Sequence, residues 1–85
     1  MRVLHILRSL EDGRALATAR SHAQAHPTSL LLLQDAVLAR VADFPGPVYA
    51  CAEDVAARSK RGDYHEVGYE EMVHLLLEHE KIICW

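Results

Sequence analysis

The chain has 85 residues, twelve acids against nine bases for a formal net charge of −3, and 51% apolar side chains of which one Trp, three Tyr and one Phe are aromatic. That length allows one domain, 1–85, with a core of Leu, Val, Ile and Ala and apolar residues left over for a subunit interface. The acidic balance argues against a direct grip on nucleic acid, and the longest apolar run, Leu30 to Leu33, is far too short for a membrane span.

In chain order, "VLHIL" (Val3 to Leu7) reads as a strand. Asp12 is placed to cap a helix over Gly13 to Ala25, which Pro27 stops. "SLLLLQ" (Ser29 to Gln34) is apolar at consecutive positions, as in a strand buried on both faces. Asp35 stands where a cap would open a short helix, Ala36 to Val41. After the breaker cluster "FPGP", "VYAC" (Val48 to Cys51) is a third strand. Glu53 to Lys60 reads as a helix stopped at Gly62. "HEV" (His65 to Val67) is a short fourth strand. In "YEEMVHLLLEHE" the residues Met72, Val73, Leu76 and Leu77 define one helix face, and "KIICW" closes the chain as a strand. The alternation predicts an α/β fold: a small three-layer sandwich with a mostly parallel sheet of four or five strands, flavodoxin-like, with helices on both faces. Such sheets carry sites at the carboxyl ends of strands, here Arg8-Ser9, Gln34-Asp35 and Cys51.

Neither a GxGxxG nor a Walker loop is present, so no cofactor is expected. His22 and His26 are four apart and His74 and His79 five apart, with no third ligand pinned beside either pair; they read as surface histidines, with no metal expected. His5, inside an apolar strand, reads as a core residue with one hydrogen bond. Ser9, His5 and Asp35 can be assembled on paper into a hydrolase triad, but no nucleophile elbow accompanies them. Arg58, Lys60 and Arg61 form one short basic cluster, read as a solvated helix end.

Cys51 ends a strand where a helix begins, a position that favours thiolate, while Glu53 and Asp54 in the same turn oppose it. The alternative is a small buried residue. Cys84 reads as packed by its strand. Two cysteines behind a start with no signal-peptide pattern read as free thiols in the cytoplasm.

Taken together, "VLHILRS", "LLLLQDAV", "VYACAEDVAAR", "GYEEMVHLLLEH" and the final Trp resemble the TusB/DsrH family over nearly the whole chain, in the same order. The resemblance implies the DsrEFH-like form of the small α/β sandwich. It also implies a subunit of a cytoplasmic sulfur relay, joined to TusC/DsrF-like and TusD/DsrE-like subunits, that passes persulfide sulfur towards a TusE/DsrC-like acceptor. The sulfur then serves tRNA wobble 2-thiouridine synthesis or sulfur oxidation. Such a subunit is expected to be structural, shaping the acceptor's docking surface. Cys51 departs from the family pattern, which has an aliphatic residue there, and matches the persulfide-bearing cysteine of the TusD/DsrE-like subunits. Ser59 stands where the family has Gly, and the stretch between "QDAV" and "VYA" is short. Cys51 is therefore the candidate persulfide carrier, and a stand-alone homo-oligomeric binding module is the remaining alternative.

Overall fold

The computed structural model describes residues 1–41, 43–59 and 62–85. Its strands are β1 (Val3–Leu7), β2 (Thr28–Leu32), β3 (Val48–Cys51), β4 (His65–Val67) and β5 (Lys81–Cys84). Its α-helices are α1 (Gly13–Ala23), α2 (Ala52–Arg58) and α3 (Tyr69–Glu78), and a 3-10 helix spans Gln34–Leu38. The strands form one five-stranded sheet in the order β4-β3-β2-β1-β5, and every pairing is parallel. The expected α/β sandwich is thus the observed one.

Local sequence explains most boundaries. Asp12 caps α1, its Oδ1 accepting from the Ala15 N–H at 3.0 Å. β1 and β2 are buried at every position, which is why neither shows polar alternation. The FPGP turn presses on the sheet: a Cβ at Gly46 would stand 2.1 Å from the Thr28 carbonyl oxygen, so only glycine fits.

Several boundaries differ from the sequence reading: α1 stops at Ala23 rather than Ala25, and β2 runs over Thr28–Leu32 rather than Ser29 to Gln34. The segment after β2 is a 3-10 helix that begins at Gln34, and Asp35 does not cap it. Gln34 takes φ 52, a left-handed conformation unusual for a non-glycine residue. α2 ends at Arg58 because Ser59 turns left-handed at φ 50; the expected stop at Gly62 is not used, and Lys60 lies outside the described residues.

Topology decides which helix covers which face. The steps β1 to β2 to β3 to β4 all move the same way across the sheet. Right-handed crossovers therefore put α1, the 3-10 helix and α2 on one face. The step from β4 to β5 runs back past β1, so α3 lies on the other face. The cores follow suit. Leu7, Leu30, Leu32 and Ala50 pack with Ala15, Ala19, Val37 and Val55 on the first face. Leu4, Ile6, Leu31 and Val67 pack with Leu75 on the second. Five strands set their outer members about 19 Å apart, and one helix is about 10 Å across, so α3 roofs about half of its face.

Candidate functional site

Cys51 is the last residue of β3 and the N-cap of α2, with φ −64 and ψ 120. Strand alternation sends Ala50 to the three-helix face and Tyr49 and Cys51 to the α3 face. The thiol lines a cavity of about 150 Å³ with Glu53, Val67, Gly68, Tyr69 and Met72. Cys51 is only 9% exposed, so the cavity is its route to solvent. The walls are mostly apolar and small, and the pocket admits a group of a few atoms rather than a nucleotide.

The two acids after Cys51 part company. Glu53 lines the cavity. Asp54 turns away: its Oδ2 accepts from the Gln34 N–H at 2.8 Å, and its Oδ1 lies 3.8 Å from Arg58 Nη1. With seven residues, α2 brings only a small dipole to its first turn. Arg58 is held by Asp35, donating through Nε at 3.0 Å and Nη2 at 2.9 Å to Oδ1. This network ties α2 to the end of β2 and fixes the left-handed Gln34 backbone. The expected solvated basic cluster is therefore corrected at Arg58, which is ion-paired; Lys60 and Arg61 lie outside the described residues.

The histidines divide differently from the sequence reading. His5 is fully buried and bonded on both nitrogens, Nδ1 to Trp85 Nε1 at 2.9 Å and Nε2 to His22 Nδ1 at 2.8 Å. His22 is thus not a free surface residue. Burial, reinforced by repulsion from the Lys81 ammonium and from the His22 ring whenever that is protonated, lowers the His5 pKa from 6.5 to about 4. His79, expected at the surface, is buried beneath the end of α3. Its Nδ1–H donates to the Leu75 carbonyl at 2.6 Å, leaving Nε2 to pair with Ser29 Oγ at 3.2 Å. The paper triad does not form: His5 is committed to His22 and Trp85, and Asp35 to Arg58. Among the described residues, no group of three or more His, Cys, Asp or Glu is placed to hold a metal ion.

The α3 face carries what the sequence reading missed. Leu75 and Met72 pack on the sheet, whereas Val73, Leu76 and Leu77 of the expected core face are exposed, Leu77 by 78%. Tyr69 is exposed to the same extent, and at 100° per residue all four lie on one stripe. At the sheet edge, Ile82 in β5 registers with Leu4 and belongs to this face. Cys84 registers with Ile6 and is exposed on the same side, correcting its expected packed state. The signal was present in the run Met72-Val73-His74-Leu75-Leu76-Leu77, whose apolar arc is wider than one buried face requires.

Among solved structures, the chain is similar to the ychN protein from E. coli, known from a crystal structure. The TM-score is 0.80 over 100% of this chain and 99% of that one, at 16% identity. That likeness shows the fold. No family model matches, and no curated protein matches. No described helix is long and apolar enough to cross a membrane.

Proposed function

We propose that the chain is a cytoplasmic subunit of a sulfur-relay assembly of the TusB/DsrH kind, working as a packing and docking partner of homologous TusC/DsrF-like and TusD/DsrE-like subunits. The observation that carries this reading is the α3 face. Tyr69, Val73, Leu76 and Leu77 on one stripe of α3, with Ile82 also exposed on that side of the sheet, support a surface that a protein partner would cover. A TusE/DsrC-like acceptor would dock beside it. Affinity capture of the tagged chain from its native cell, with the co-purifying proteins identified, tests the assignment. Recovery of the two homologous subunits is expected; recovery of the chain alone, or only of proteins unrelated to sulfur transfer, contradicts it.

Cys51 favours a second reading, in which the chain itself carries persulfide. The thiol lines a small open cavity at the carboxyl end of a parallel strand, next to exposed Tyr69. In that reading the Cys51 thiolate attacks the outer sulfur of a donor persulfide, gains that sulfur and releases the donor thiolate. Incubation with a cysteine desulfurase and cysteine would then add one sulfur to Cys51 by mass spectrometry and none to a Cys51→Ser chain. An unmodified Cys51 beside a labelled control protein would leave only the structural role. A stand-alone module would instead assemble with copies of itself and capture no homologous subunit.

A further inference from the structure

Trp85, His5 and His22 form an unbroken hydrogen-bonded row that joins the residue after β5, the centre of β1 and the last turn of α1. The chemistry of the groups fixes the direction of each bond. An indole nitrogen only donates, so His5 Nδ1 accepts from Trp85. The single proton of a neutral His5 then sits on Nε2 and is donated to His22 Nδ1, which must be bare. Both rings are therefore neutral and protonated on Nε2.

A proton added to either ring breaks the same link. On His22 it occupies Nδ1 and reverses the bond between the rings. His5 then accepts through Nε2 and carries its own proton on Nδ1, pointing at the indole N–H. On His5 the extra proton sits on Nδ1 directly. In both cases two donors face each other where Trp85 was bound.

We propose that this row is a proton-operated latch: the Trp85 indole stays docked on β1 while His5 and His22 are both neutral, and it lets go when either takes a proton. The surroundings fit a latch with one accessible end. His5 is fully buried, whereas His22 is half-buried and reaches solvent. Besides His22, the titratable group acting on His5 is Lys81, at the start of β5. β2 presents Leu30 at the matching register, and Arg8, beyond β1, donates through Nε to the Trp85 main-chain oxygen at 2.9 Å. That bond and the Trp85 N–H to Ile6 carbonyl bond at 3.0 Å hold the main chain while the indole leaves. Trp85 stands directly after the carboxyl end of β5 and beside that of β1. The strand order reverses there, and open α/β sheets place their ligands at that point.

Trp85 is the only tryptophan, so its indole N–H gives one resonance. We expect ¹H–¹⁵N spectra of the whole chain near neutral pH to show His5 and His22 both protonated on Nε2. On acidification, the indole N–H should lose its bonded position in the same transition in which the first of the two rings gains a proton, with the β2 and β3 amides unchanged. In His22→Gln, whose amide oxygen accepts the same bond, the indole should stay docked until His5 itself takes a proton. His26→Gln should leave the transition where it is. The latch is overturned by an indole resonance that stays put while either ring takes a proton, by a neutral His5 protonated on Nδ1, or by a His22→Gln chain that releases its indole while His5 is still neutral. Should His22→Gln fail to fold, the tautomers and the titration of the unaltered chain decide alone.

Discussion

On one face of the sheet, α1, the 3-10 helix and α2 bury Leu7, Leu30, Leu32 and Val55 in a closed core. On the other, α3 covers Leu4, Leu31 and Val67 but turns Tyr69 and Leu77 outward and leaves Ile82 bare at the edge. The difference follows from topology. Three crossovers in one direction and a single return crossover distribute the helices three to one between faces. A half-roofed sheet with large apolar residues on its open side fits the proposal that this face is completed by a partner.

Leu32→Ala, on the closed face, should cost about 3 kcal/mol in urea unfolding, because Leu32 is fully buried among fixed elements. Leu77→Ala should stay within about 0.5 kcal/mol in the isolated chain. Equal costs at the two sites would remove the distinction between the faces.

A pH series sharpens it, because the buried imidazole of His5 belongs to the closed face. Its pKa is lowered to about 4 in the folded chain against 6.5 unfolded. Below 6.5 the unfolded chain therefore binds the proton first, and stability falls as pH drops from 6.5 towards 4, then levels off. The size is at most about 3 kcal/mol. Denaturant midpoints across that range measure it, and a His5→Gln chain should lose this part of the slope.

Gly46→Ala should cost about 2 kcal/mol, since the new methyl meets the Thr28 carbonyl and the loop must withdraw from the sheet. A smaller effect, about 1 kcal/mol, is expected for Asp54→Ala, which frees the Gln34 N–H and weakens the hold on Arg58. In that background Gln34→Gly should recover part of the loss, because glycine takes φ 52 without strain. Thermal unfolding of the two single variants and the double variant checks both.

Strands, their order along the chain and the parallel sheet were legible in the sequence because fully buried strands write themselves as apolar runs between breakers, as in "VLHIL" and "SLLLLQ". The orientation of α3 was not. Met72, Val73, Leu75, Leu76 and Leu77 make a wide apolar arc, and periodicity alone does not say which half meets the sheet. The backbone choices at Gln34 and Ser59 were hidden for another reason: the Asp54 carboxylate, a contact from twenty residues away, holds Gln34 in place. Cys51 was legible as a strand end, but its cavity is built by Val67, Tyr69 and Met72, which only the fold brings near. The partners of His5 lie 17 and 80 residues distant, and neither spacing leaves a local signature.

Light scattering of the purified chain at micromolar concentration, beside a Leu77→Asp chain, tests most directly whether the open face is an assembly surface. The parent should associate, alone or with the proposed homologous subunits added, and Leu77→Asp should abolish the association while its circular dichroism is unchanged. A parent that stays monomeric in both conditions, or a Leu77→Asp chain that assembles just as well, would contradict it.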